Sequence, residues 1–152
     1  MDQLEANKSA VRRLLEEFLS CGEPAVADEI FAPDFIDHNP SNPDLSGLDN
    51  IKRSVREWCR AFPDTRTAVD DLIAEADRVA ARWTSTATHR GAFLGLPATG
   101  LGVTISGSGL FRLVDGRIVE SWDHFDALGL VQQLGGVVMP RRRGEDEGRL
   151  HP

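Results

Sequence analysis

A single change of rhythm limits what this chain can fold into. Up to residue 62 apolar side chains recur at helical spacing, and from residue 66 they alternate. Leu4, Val11, Leu14, Leu15, Phe18 and Leu19 share one face of a helix over residues 3–20, with Arg12, Arg13, Glu16 and Glu17 between them. Cys21-Gly22 ends it. A short helix follows Pro24, with Val26, Ile30 and Phe31 on one side and Pro33 as its stop. Residues 35–40 read as a brief extended segment and Asn39 to Ser46 as a loop. Ser46 is the expected N-cap of a third helix, with Asp49 in the capping-box position. That helix carries Leu48, Ile51, Val55, Trp58, Cys59 and Phe62.

Strands are expected over residues 66–73, 79–89, 101–113 and 117–125, with Asp115-Gly116 as a hairpin signal. Asp126 caps a last short helix that Gly135-Gly136 stops. Helices followed by a meander of strands indicate an α+β fold. The simplest arrangement is one curved antiparallel sheet wrapped around the helical layer, a cone with a pocket inside. A chain of 152 residues suits one domain, placed here over residues 1–138, with a polar, disordered tail over 139–152.

The formal net charge of -7 argues against nucleic acid as a partner. The one dense basic run, Arg141-Arg142-Arg143, is cancelled by Glu145, Asp146 and Glu147. No stretch has the apolar length of a membrane span, and the acidic start does not resemble a secretory signal. Cys21 and Cys59 fit no metal spacing, so reduced thiols in a cytoplasmic protein are expected. No tight histidine pair, phosphate-binding glycine loop or nucleophile elbow is present.

Strand parity then sorts side chains by face. Val79, Ala81, Trp83, Ser85, Ala87 and His89 share one face of their strand, and Val103, Ile105, Gly107, Gly109, Phe111 and Leu113 one face of the next. In the last strand, barring a bulge, Val119, Ser121, Asp123 and Phe125 lie opposite Ile118, Glu120, Trp122 and His124. Gly107 and Gly109 permit curvature or close approach.

Asp123 is the leading catalytic candidate. A carboxylate on an apolar face is desolvated, its pKa rises, and it becomes able to move a proton between carbon and oxygen near neutral pH. The plainer alternative is a solvated carboxylate at a strand end. His89 comes second, either as a proton shuttle facing the pocket or as a hydrogen-bonded histidine at a strand end. Asp37-His38 comes third, either as a pocket rim or as a turn acceptor beside a packed ring. Phe35, Asp37, Trp58, Phe62, Trp83, Phe93, Leu96 and Phe111 are the expected substrate-binding residues. Trp58, Phe62 and Phe93 serve equally well as core. Trp122 is a candidate anchor between subunits, and Glu120 a candidate partner of Arg82 across the sheet.

Several runs together resemble the SnoaL-like polyketide cyclases, also called ester cyclases. They are Phe35-Ile36-Asp37-His38, Phe62-Pro63-Asp64, Asp77 to Trp83, Thr88 to Gly100, Asp115 to Asp123 and Gln132-Gln133-Leu134-Gly135. The resemblance runs from about residue 8 to about residue 136. It implies the nuclear transport factor 2-like cone, with homodimers through the outer sheet face and tetramers in some members. It implies no metal and no organic cofactor. It also implies a hydrophobic, carbonyl-bearing substrate closed into a ring by intramolecular aldol chemistry, with Asp123 as the general acid/base. The resembled cyclases place a histidine on the preceding strand, facing that carboxylate, whereas Ile105 to Leu110 contains none. The same fold hosts hydrolases, isomerases and non-catalytic binding modules, so fold alone does not choose among these activities.

Overall fold

A computed structural model describes residues 2–39, 46–137 and 139. Helix α1 (Gln3–Arg13) is capped by Asp2, whose carboxylate accepts the Glu5 N–H at 2.8 Å. It widens into a π turn, Leu14–Phe18, closed by the Leu19 N–H donating to the Leu14 carbonyl at 2.9 Å. Leu14, Leu15 and Phe18 are all buried there. Helix α2 (Ala25–Ile30) is followed directly by strand β1 (Phe31–Asp37). Phe31 therefore opens a strand, and Pro33 lies within it rather than stopping a helix. Because β1 is an edge strand, it tolerates the missing N–H.

Helix α3 (Leu48–Ala61) starts from Gly47, at φ +87°, and not from the expected Ser46 cap. The Ser46 hydroxyl is engaged elsewhere: it accepts the Asp37 N–H at 3.0 Å and ties the helix approach to the end of β1. Strands β2 (Arg66–Glu75), β3 (Arg78–Thr88), β4 (Gly102–Val114) and β5 (Arg117–Phe125) follow, then helix α4 (Ala127–Gln133). Asp126 caps α4 as expected, accepting the Gly129 N–H at 2.8 Å.

The sheet order is β1-β5-β4-β3-β2. Neighbours from β2 to β5 are antiparallel, and β1 joins β5 in parallel, so the sheet is mixed. Most of the chain lies between β1 and β5, so no hairpin forces them to run antiparallel. Helices α1 to α3 cover one face of the curved sheet. There the parity of β3 and β4 holds: Val79, Ala81, Trp83, Ala87, Val103, Ile105, Phe111 and Leu113 are buried. In β5 the register slips, with Arg112 opposite Glu120 but Leu113 opposite Ile118. Val119 is the extra residue, and Ile118 turns inward in its place, fully buried.

Two further expectations are corrected. Cys21 and Cys59 are not free thiols; they form a disulfide, with their Cα atoms 5.8 Å apart. The left-handed turn at Cys21 brings the end of the first helical segment against the last turn of α3, a closure of 38 residues that local pattern does not reveal. Glu120 does not reach Arg82. It pairs with Arg112, its neighbour in register, and with His38, while Arg82 pairs with Asp70 and Asp71. Strand β4 stands between the two proposed partners.

The expected tail over 139–152 lies, Met139 apart, outside the described residues, as do positions 40–45 of the expected loop. Among the described residues, no helix is long and apolar enough to cross a membrane.

Candidate active site

Between the helices and the concave sheet face lies a cavity of about 200 Å³, partly open to solvent. Leu14, Leu15 and Leu19 close one side, and Ile51, Ser54, Val55 and Trp58 of α3 another. The sheet supplies the floor: Phe31, Phe35 and Asp37 from β1, Thr67 from β2, Trp83 and Ser85 from β3, Ile105 and Phe111 from β4, and Ser121, Asp123 and Phe125 from β5. Most of this lining is apolar.

Asp123 faces that space. Burial is the main cause that pushes its carboxyl from 3.8 up to about 6, and the nearby Asp37 charge pushes the same way. His124 and the Asp123 backbone N–H oppose the rise. Directly opposite Asp123 on β4 is Gly109. A methyl group at Gly109 would come within 2.7 Å of the Asp123 Cβ, so the bare backbone leaves the carboxylate its place. Gly107 does the same for Trp83, whose indole lies where a Gly107 side chain would project. The close approach expected of these two glycines is therefore what shapes the floor.

Asp37 is the second carboxylate of the cavity. It is 8% exposed and lies beside Ser121 in the parallel register of β1 and β5. Its Oδ1 also accepts the Asn39 N–H at 2.8 Å, so the pocket and turn readings both apply. Burial raises its pKa, while the Asn39 N–H and the charges of His38 and His124 hold it down.

His38 points to the other side of the sheet. Its ring stacks on Trp122, with centroids 4.7 Å apart, and Nε2 lies 3.2 Å from Glu120. Trp122 is half-buried, with the Arg78 guanidinium 5.5 Å above its ring. His89 does face inward, as parity required, but it does not line the cavity. It is fully buried, stacked on Phe62 at 5.3 Å, and its Nδ1 accepts the Thr99 N–H at 3.2 Å. The ring proton then sits on Nε2, which has no hydrogen-bond partner among the described residues.

Among the expected substrate-binding residues, Phe35, Asp37, Trp58, Trp83 and Phe111 line the cavity. Phe62, Phe93 and Leu96 do not. Phe62 is fully buried between Trp58 and His89, Phe93 meets Trp58 edge-on, and Leu96 bonds back to Phe93. Sequence reasoning did not single out the hydroxyls Ser54, Thr65, Thr67, Ser85 and Ser121. Parity had already put Ser85 and Ser121 on the inner face, and that was their only signal. The Thr67 and Ser85 hydroxyls bond each other at 2.7 Å. Among the described residues, no three His, Cys, Asp or Glu side chains come together as a metal site.

Comparison with known proteins places this geometry in a family. The family profile for SnoaL-like polyketide cyclases matches residues 9–134. The aklanonic acid methyl ester cyclase DnrD of Streptomyces peucetius is 29% identical over 131 residues, spanning 82% of this chain and 88% of its own. Among solved structures, TsrD of Streptomyces laurentii superposes with a TM-score of 0.79 at 28% identity, covering 90% of this chain and 99% of its own. AclR of Streptomyces galilaeus, provisionally assigned as a hydroxylase, gives 0.76 at 30% identity, covering 91% and 87%. The chain belongs to the SnoaL-like polyketide cyclase family.

Proposed function

We propose that this protein closes a carbon ring in a hydrophobic, carbonyl-bearing small molecule by cofactor-independent acid/base catalysis, with Asp123 as the proton carrier. The observation that carries the reading is a single feature. A carboxylate with a pKa near 6 stands on the wall of an otherwise apolar cavity. The apolar lining suits a hydrophobic substrate, and holding it folded brings the two reacting carbons together. Asp123 takes a proton from the carbon next to one carbonyl, leaving an enolate. The enolate carbon attacks a second carbonyl of the same molecule, and a C–C bond forms as the C=O π pair moves onto oxygen. Asp123 returns its proton to that oxygen. No atom is gained or lost, and no oxidant is required.

The relative's name supplies the first probe, aklanonic acid methyl ester, to be run beside simple keto-aromatic esters, ketosteroids and epoxides. Asp123→Asn keeps the shape and removes the proton carrier. It should lower kcat by about 10² to 10⁴-fold, while the ligand still raises the thermal midpoint of the variant. Full turnover by Asp123→Asn would remove Asp123 from the mechanism. Turnover of only the epoxides or ketosteroids would favour a hydrolase or isomerase on the same cone. Binding without turnover of any of them would favour a small-molecule-binding module.

A further inference from the structure

An acid/base site needs more than one polar group, and this cavity offers a short choice. Of its described lining residues, only Asp37 and Asp123 titrate; the other polar groups are hydroxyls and the Trp58 and Trp83 indoles. His38 and His89, the two histidines singled out from sequence, lie on the outer face and in the packed end. Gly109, across from Asp123, has no side chain. Asp37 sits on the adjoining strand, level with Ser121 and so close to Asp123 on the same face.

We infer that Asp37 is the second working carboxylate of this site: its charge, held in the same cavity, drives Asp123 to take up a proton. The inference rests on the acid/base reading of Asp123. Before reaction, both carboxylates are ionised in a poorly solvated space and repel each other. When Asp123 accepts the proton from carbon, the C–H electrons stay with the substrate as the enolate and the pair drops from two negative charges to one. The relief of repulsion favours that step. When Asp123 then donates to the new alkoxide oxygen, the pair returns to its starting state. Asp37 does not exchange a proton with substrate; it is a positioning residue acting through Asp123. The charged groups that act on the pair from outside the cavity are His38, next to Asp37 in the chain, and His124 on β5. His124 opposes the effect of Asp37 on Asp123, while His38 and His124 both favour the charged form of Asp37; among the described lining residues, β4, α3 and the π turn add no charge.

The test is a titration that needs no substrate, following the side-chain carboxyl carbons of ¹³C-labelled aspartate by NMR. Asp37→Asn retains an oxygen acceptor for the Asn39 N–H, so the turn is preserved. In this variant the Asp123 midpoint should fall by roughly one pH unit, and Asp37→Glu should restore part of the rise. If the variant folds poorly, the wild type decides. Mutual repulsion gives the Asp37 and Asp123 carbons matching inflections, each sensing the other's ionisation. An unchanged Asp123 midpoint in Asp37→Asn, or independent single-step curves in the wild type, would overturn the inference. Because turnover is not measured, either result stands apart from the outcome for Asp123→Asn as a catalyst.

Discussion

The two ends of this cone begin from similar instructions and finish differently. Near one end an ionisable residue, Asp123, follows the inward face of β5. At the other, His89 follows the inward face of β3. Each lies among aromatic rings. Asp123 meets an open cavity because Gly109 opposite it withdraws. His89 meets solid packing, because Phe62 covers its ring and the chain from Thr99 to Leu101 folds back over it. Facing inward is therefore not enough to make a site; a neighbour has to leave room. Trp58 belongs to both ends, lining the cavity with its ring while stacking on Phe62 at 4.3 Å.

The strongest test of this division lies at the shared wall. Cys59 follows Trp58 and is bonded to Cys21. Cross-linking a loop of this length stabilises by up to about 4 kcal/mol in the chain-entropy picture, with 2–4 typical. Reduction, or the Cys21→Ser/Cys59→Ser pair, should shift denaturant unfolding by that order. Coincident curves with and without reductant, together with two reactive thiols in the untreated denatured protein, would show that the bond is not there.

A smaller and pH-dependent effect belongs to the cavity end alone. The Asp123 pKa is raised in the folded state, so its contribution favours folding fully below about pH 4 and is lost as pH rises through about 6. Above that range, ionising Asp123 costs the folded protein up to about 3 kcal/mol. Asp123→Asn should therefore match the wild type in stability near pH 4 and exceed it by up to that amount at pH 7. The lowered pKa values of Asp64 and Glu120 act in the opposite direction, but both groups are present in both proteins, so they cancel in the difference. Equal stabilities across the whole range would mean that Asp123 is solvated.

What could be read beforehand follows the same divide between local and distant causes. The parity of β3 and β4 was legible because a strand's faces are written in its own residues. The inward direction of Asp123 was legible for the same reason. The bulge at Val119 was not, because it depends on how β4 and β5 slip against each other. The Cys21–Cys59 bond and the parallel β1 depend on partners distant in sequence, and the Arg112–Glu120 pair depends on the shifted register of the β4–β5 hairpin. Asp37 and His38 are adjacent and were read together. Strand alternation sends one into the cavity and the other onto Trp122, yet so short an extended segment gave no inner face to assign. His89 shows the limit most plainly, since its direction was right and its surroundings were invisible.

That limit yields the smallest and sharpest test. His89→Phe keeps a ring against Phe62 and removes the Nδ1 acceptor. Nδ1 meets both the Thr99 hydroxyl and the Thr99 N–H, but Thr99 is exposed and both groups can turn to water, so the net loss is about 1 kcal/mol. It also removes the Nε2–H, which is unpaired among the described residues, and this returns part of that loss. Stability should thus change by no more than about 1 kcal/mol, and kcat on any substrate the wild type turns over should stay within a few-fold. The variant reverses the pattern expected of Asp123→Asn, a loss of turnover with a gain of stability at neutral pH. A hundredfold fall in kcat for a normally folded His89→Phe would break the division, because it would place the packed end within reach of the reacting atoms.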